Sequence, residues 1–473
     1  MPTIAELIKA LPEDAMREAE SNGLSQSLAA ASLRPVPVGR LRRVGLLGTL
    51  QAKIAAAYLF YWIRGFLLSV EEKERLLAET HWRTAARLLD SMGYLRGAVM
   101  KVGQTLANFP DIAPKEFVET LERLQYDAPP MHWALLREMV HNELGDDPEN
   151  LFASFEKRAC AAASLGQVHR ATLRSGKSVA VKIQYPGIAR TITEDFKNLL
   201  LFLTPGRLQK DWASLKDQFE DLRLRLESEV DYRKEAATQE KARTLFRDQD
   251  GIVVPKAYPE LSTDRVLTMD YLEGVHLEEF LRSNPSQEQR NEAGRKITRA
   301  WYRLFAAGRL LYADFHPGNI LILPDGRIGL IDFGFVVPLE GELWATLRRM
   351  DRCFVTGGRA VLEAAAKEWQ YIKDDPAEAE RLELSVEFIE WTRRSRLFDG
   401  DFDFGDEADF RQGIDLAAKY MRRRYGRSHP TSVAVTRHNF GFRAVLYRLR
   451  AKFNLQAIAK EEMKATGWEH NLL

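Results

Sequence analysis

Asp314, Asn319 and Asp332 have the types and the spacing that phosphoryl transfer needs. Asp314 and Asn319 stand five apart on a segment that reads as a loop. An apolar strand at 320–323 follows, then a Pro324-Asp325-Gly326 turn, a second strand at 328–331 and the tripeptide Asp332-Phe333-Gly334. A hairpin of that kind gathers two oxygen donors and a potential base at one end. Moving a γ-phosphoryl group requires a divalent cation to neutralise phosphate oxygens, and hard Mg²⁺ prefers the carboxylate and amide oxygens that Asp332 and Asn319 offer. Asp314 is then placed to orient or deprotonate the acceptor. Asp-Phe-Gly or Pro-Asp-Gly alone would be only a turn, because Asp and Gly dominate turns generally. The ordered set carries the inference.

A strand lysine completes this chemistry. Val179-Ala180-Val181-Lys182 ends a predicted strand as the phosphate-binding lysine of kinases does, and such a lysine needs an acidic partner. Acidic candidates lie on a predicted helix spanning 212–247, where Glu227, Asp231 and Glu235 follow at i, i+4 and i+8 and Glu229 points elsewhere. Strands predicted at 152–158, 167–173 and 178–184 form an antiparallel set. The first turn, 160–166, holds Ala161, Ala162, Ala163, Ser164 and Gly166, where most kinases carry a glycine-rich phosphate cover. Alanine keeps such a loop small and stiffens it. Gly176-Lys177-Ser178 is not a Walker A loop, because Ala171 stands where the first glycine belongs and a strand follows.

The Asp-x4-Asn spacing and Asp-Phe-Gly fit the protein-kinase pattern, with Ala-Asp-Phe-His-Pro-Gly-Asn at 313–319 in place of the usual His-Arg-Asp loop. That variant, the alanine-rich turn and Lys101-Val102-Gly103-Gln104 on a predicted helix at 82–108 together resemble the UbiB-like (ADCK/AarF) atypical kinases, and the stretch from His438-Asn439-Phe440-Gly441-Phe442-Arg443 to Phe453 resembles the C-terminal helix of their ubiquinone-biosynthesis branch. The resemblance runs from about residue 90 to residue 452. It implies an α+β, bilobal protein-kinase-like fold with a small β-rich N-lobe, a helical C-lobe and a helical extension over the nucleotide pocket. By the same resemblance Lys101, beside Asp314 and Lys182, serves the catalytic set, and Gln104 projects over the nucleotide. Glu235 pairs with Lys182, and Glu229 and Asp231 pair with Lys101. Met269 precedes, and Tyr271 lies within, the interlobe hinge at 270–274, whose backbone grips adenine.

The implied segments are a helix and linker at 1–45, an aromatic-rich helix at 46–80 and a helical extension at 81–150. The N-lobe follows at 151–275, with an extra helix at 185–209 and further strands at 252–254 and 265–269. A C-lobe occupies 276–473. After Gly334 the chain runs almost directly into a helix at 340–354, with no long activation segment and no Ala-Pro-Glu, so a protein substrate lacks its usual platform. The resemblance therefore implies an ATPase or phosphotransferase using ATP and Mg²⁺. It would act on or with small lipidic molecules and biosynthetic partners, in support of ubiquinone formation at a membrane. An alternative is a nucleotide-gated binding module with incidental turnover. A small-molecule kinase of the aminoglycoside type shares the metal-binding logic but leaves Lys101-x-Gly-Gln and the alanine-rich turn unexplained.

Composition narrows the remainder. With 68 basic against 67 acidic residues, the net charge of +1 gives no global argument for nucleic acid. Two distant cysteines, Cys160 and Cys353, form neither a disulfide framework nor a zinc site, and the nine histidines lack metal-ligand spacing. The longest apolar run, 54–63, is far short of the roughly 20 residues that span a bilayer. Basic residues beside Tyr58, Phe60, Tyr61, Trp62 and Phe66 suit either an interfacial membrane helix or a core helix. Acidic residues in 1–20 match neither a secretory signal nor a transit peptide, so the expected location is cytoplasmic, peripheral to the inner membrane. Arginines 422, 423, 424, 427, 437, 443, 448 and 450 are candidates for anionic headgroups, with a solvated helix face as the default.

Overall fold

The computed structural model describes residues 133–163, 166–185, 230–422, 429 and 431–465. Contacts divide the chain into two compact units, residues 1–131 with 185–203, and residues 132–184 with 204–473. The described residues fall almost wholly in the second. Lys101, Gln104, Ser164, Glu229 and the predicted helices at 1–108 and 185–209 lie outside them.

The N-lobe is a five-stranded antiparallel sheet. Strands β1 (Ser154–Phe155), β3 (Gly166–Thr172), β4 (Ser178–Gln184) and β6 (Val266–Asp270) are adjacent in that order, and β2 (Ala161–Ala163) also pairs with β3. The expected alanine-rich loop is thus largely a strand: Ala161 faces Val168 and Ala163 faces Gly166 across a tight hairpin. A Cβ on Gly166 would sit 2.0 Å from the Ile183 carbonyl oxygen, so only glycine lets β3 close on β4 there. The Gly176 turn is a simple hairpin, with φ +85° at the glycine.

Helices α1 (Trp133–Leu144) and α2 (Pro148–Leu151) precede the sheet. Trp133 of α1 meets the Phe155 ring at 5.7 Å, and Glu143 accepts from Thr263 and Arg265. Helix α3 (Tyr232–Arg243) starts at Asp231, whose side chain accepts from Lys234 N at 3.0 Å. This corrects the expected continuous helix through 231. Asp231 has non-helical φ −104° and ψ 89°, because an N-cap satisfies an otherwise orphan donor only from outside the helix. The i, i+4, i+8 face running through Asp231 to Glu235 therefore does not exist.

The C-lobe carries a four-stranded sheet ordered β5 (Ile252–Val253), β10 (Ile328–Leu330), β9 (Ile320–Ile322) and β7 (Val275–His276). β9 and β10 are the expected hairpin. β5 is a second correction. Gly251, at φ +67°, turns the chain so that β5 lies parallel to β10 and its own carbonyl accepts from Ile328 N at 2.9 Å, placing β5 with the catalytic hairpin rather than in the N-lobe sheet. Strand β8 (Leu310–Tyr312) pairs with β11 (Val336–Pro338) and brackets the hairpin.

Helix α4 (Leu277–Arg282) leads to α5 (Gln287–Ala306), started by a reciprocal cap between Ser286 and Gln289. Ile297, Ala300, Trp301 and Leu304 of α5 form its buried stripe and pack with Ile320, Ile328, Leu330 and Phe333 in one core. Each such side chain stabilises the lobe by about 1.5–3 kcal/mol on area grounds. Helices α6 (Gly341–Thr356), α7 (Arg359–Gln370), α8 (Ala379–Leu397), α9 (Glu407–Arg422), α10 (Ser432–Leu449) and α11 (Leu455–Ala465) complete the lobe, with the small pair β12 (Phe402–Asp403) and β13 (Lys452–Phe453).

Candidate active site

Lys182 sits on β4 opposite Val168 on one side and Leu267 on the other, with its side chain under the sheet. Its Nζ lies 2.9 and 3.1 Å from the two Glu235 carboxylate oxygens and 3.1 Å from Asp332 Oδ2, with the Tyr232 ring 5.0 Å away. One ammonium thus bridges α3 and the Asp-Phe-Gly turn. Burial opposes its charge, but Asp332 and Glu235 more than compensate and raise its pKa well above the ordinary lysine value. Burial pushes the Glu235 carboxyl up to about 7 against the pull of Lys182, since two acids share a single cation.

The Asp-Phe-Gly turn is held at every residue. Asp332 Oδ1 accepts from Gly334 N at 2.9 Å, and its carbonyl accepts from the Tyr312 hydroxyl at 2.5 Å. Phe333 is buried edge-on against Tyr312, and its N–H donates to Glu235 Oε1 at 3.3 Å. Glu235 therefore holds both the strand lysine and the backbone beside the metal-ligand candidate.

At the loop, Asn319 Nδ2 donates to the Asp314 carbonyl and to Asp314 Oδ2, each at 3.0 Å. That fixes the amide and leaves its oxygen turned away from Asp314. The remaining donor set is one amide oxygen and one carboxylate about a third exposed, both hard oxygens, which fits Mg²⁺. Asp332 and Asn319 would hold the ion, and the ion would neutralise phosphate oxygens.

Two side chains of α10 stand at the loop, a placement the sequence reading does not assign to them. Arg437 Nη2 lies 2.6 Å from Asp314 Oδ1, its Nε donates to the Ala313 carbonyl at 3.3 Å, and its guanidinium lies over the Phe335 ring. His438 Nδ1 lies 2.8 Å from the Tyr312 carbonyl oxygen, and the ring stacks on Trp301. Burial pulls its pKa down to about 4. Helix α10 can approach this closely because a Cβ at Gly441 would be 2.7 Å from the Phe315 carbonyl oxygen. In sequence the stretch from His438 to Arg443 stands out only by its resemblance to the family's C-terminal helix, which does not name the partner.

Three of the C-terminal arginines among the described residues have protein partners. Arg437 is paired with Asp314, Arg443 is buried against Asp409, and Arg448 pairs with Glu278. The phosphate-cover residues Ala161, Ala162, Ala163 and Gly166 lie in the β2–β3 hairpin. Met269 is buried in β6 opposite Ala180. Tyr271 N–H is taken by the Ser178 carbonyl at 3.1 Å and the Tyr271 ring lies under Arg170, so that amide is not the one that meets adenine. Asp231 is placed by its capping role.

Comparison with known proteins follows the same lines. Residues 123–358 match the ABC1 atypical kinase-like domain. The chain is 34% identical over 269 residues to the mitochondrial atypical kinase COQ8 of Saccharomyces cerevisiae, covering 56% of this chain and 53% of that protein. It is 34% identical over 247 residues to the chloroplastic protein Activity of bc1 complex kinase 8 of Arabidopsis thaliana, covering 50% and 32%. It is 31% identical over 317 residues to AarF domain-containing protein kinase 1 of Mus musculus, covering 66% and 59%. The chain spans about half the length of the curated relatives it matches. Among solved structures, Rv3197 of Mycobacterium tuberculosis, in complex with erythromycin, aligns with a TM-score of 0.51 at 26% identity, over 83% of this chain and 98% of that one.

Proposed function

We propose, on the premise that the chain belongs to the ABC1 atypical kinase-like family, that it binds Mg-ATP and hydrolyses it or transfers its γ-phosphoryl group to a small or lipidic molecule. Its role is support of isoprenoid-quinone formation at a membrane, alongside other biosynthetic proteins. The observation that carries this reading is the single ammonium of Lys182 between Glu235 and Asp332, the arrangement that places a phosphate-binding cation beside a metal ligand. The short path from Gly334 through β11 to α6 supports a small acceptor over a protein one. Association is peripheral, on the cytoplasmic side of the inner membrane, and among the described residues no helix is long and apolar enough to cross a bilayer.

The test is Mg²⁺-dependent ATP turnover with and without anionic liposomes carrying a quinone precursor, with Asp332→Asn as the blank. Turnover that rises with the membrane and vanishes in the variant is expected. Equal, negligible hydrolysis by both proteins would overturn the enzymatic reading.

A second reading, a nucleotide-gated binding module, draws on the engagement of both Asp314 carboxylate oxygens by Arg437 and Asn319. Quinone levels in cells carrying Asp314→Asn or Asp332→Asn separate the two. Loss with Asp332→Asn alone favours binding over chemistry.

A further inference from the structure

A cavity of about 30 Å³ opens among α5, α8, α10 and α11. Its wall includes Trp301, Tyr302, Ser395, Arg396, Phe442 and Arg443. Buried donors on this wall have no carboxylate or carbonyl to meet: Trp301 Nε1, Nη1 of Arg443, and Nε and Nη2 of Arg396, which have only the Tyr302 hydroxyl beside them. Trp301, Tyr302 and Arg443 are each more than nine-tenths buried. The carboxylates nearby are used elsewhere. Asp351 takes Arg396 Nη1 at 2.6 Å, and Asp409 takes Arg443 Nη2.

The four nitrogens are donors, and the Tyr302 hydroxyl, which accepts from Arg396, still has its own hydrogen to place. Tryptophan and arginine nitrogens can only donate, and burial pushes the Tyr302 hydroxyl up to about 12, so it stays protonated. Thr392 and Asn439 already donate to the Phe388 and Val435 carbonyls of their own helices. Buried polar atoms in folded proteins are almost always satisfied, by protein, water or an ion. Water has two lone pairs and two hydrogens to place, whereas the charged and indole nitrogens of this wall ask for lone pairs. A cavity needs roughly 10–15 Å³ by this measure to hold one water, so the space suits one rounded occupant slightly larger than water.

We propose that this cavity is a binding site for a monovalent anion of chloride size, clamped between α5, α8 and α10. Arg396 and Arg443 supply charge-assisted donors, and Trp301 and Tyr302 fix the position. The site holds together the helix that carries Trp301 and the helix that carries Arg437 and His438, behind the nucleotide site rather than within it.

The experiment is thermal unfolding of the full chain at fixed ionic strength, with sodium chloride replacing sodium gluconate stepwise. A saturable rise in midpoint with chloride is expected for the wild type. Tyr302→Phe, which keeps the ring and removes one donor, should need about tenfold more chloride for the same shift. Crystals soaked in bromide should show an anomalous peak within hydrogen-bond reach of Arg396 and Tyr302. Identical responses to chloride and gluconate, identical chloride responses of the two proteins, or a cavity holding only water would each overturn the assignment.

Discussion

Arg437 lies 2.6 Å from Asp314, joining the carboxylate of the catalytic loop to a helix 123 residues later in the chain. Ala313 occupies the loop position where the common kinase pattern has arginine. Arg437 fills that neighbourhood from outside, bonding the Ala313 carbonyl as well as the Asp314 carboxylate. Asp314 is thus oriented from both sides, by Asn319 within the loop and by Arg437 from α10.

Arg437→Ala should lower ATP turnover about tenfold while nucleotide affinity changes little, because the lost contact orients a reacting group and touches no phosphate. Arg437→Lys should recover only part of the loss, since an ammonium cannot hold the Ala313 carbonyl and the carboxylate with one planar fork. Asp314→Asn should cost 10²-fold or more in turnover, the usual scale for a general base. Turnover of Arg437→Ala equal to wild type would remove Arg437 from the positioning of Asp314.

Lys182 makes stability and nucleotide binding separable. Lys182→Met leaves Glu235 and Asp332 without their cation, and breaking one partner of a buried pair costs roughly 3 kcal/mol. Lys182→Met with Glu235→Met should regain most of that stability, because apolar replacements of buried ion pairs are often neutral. Nucleotide binding should not return. Urea unfolding and nucleotide titration of both proteins check this, and recovery of binding in the double variant would refute the assigned role of Lys182.

Local chemistry was legible wherever a motif coincided with a regular element. The hairpin at 320–330 and the lysine strand follow from apolar runs and turn residues read directly along the chain. Pairing by tertiary context was not. Ile252 and Val253 read as one more N-lobe strand, yet a two-residue strand carries too little pattern to say which sheet it joins. Asp231 read as one more carboxylate on a helix face, and its capping role appears only once the helix start is known. Arg437 stood among many arginines, with nothing in its neighbours to single it out.

Gly166 offers a sharper test of packing than of conformation. Gly166→Ala places a Cβ 2.0 Å from a β4 backbone oxygen, so the sheet must part, at a cost of about 2 kcal/mol or more. Gly176→Ala meets nothing within 4 Å and pays only for its φ of +85°, roughly 1 kcal/mol. Denaturant unfolding should rank the two in that order. The reverse order would show that β3 and β4 do not meet as closely at Gly166.

His438 and Glu235 should give opposite pH dependences that hide each other in the wild type. Histidine unfolded titrates near 6.5 and His438 folded at about 4, so the native state binds fewer protons in between. Its contribution is complete above 6.5 and is lost as pH falls toward 4. Glu235 goes from 4.5 unfolded to about 7 folded, so the native state binds more protons in that window. That contribution is complete below 4.5 and is lost as pH rises through 7. Each slope is at most about 1.4 kcal/mol per pH unit, and they oppose one another where the windows overlap. His438→Asn, which keeps a donor near the Tyr312 carbonyl, should therefore unmask a stability that falls with rising pH across that overlap. Glu235→Gln should unmask one that rises. Stability differences from wild type that stay constant with pH in both variants would show that neither group titrates away from its ordinary value.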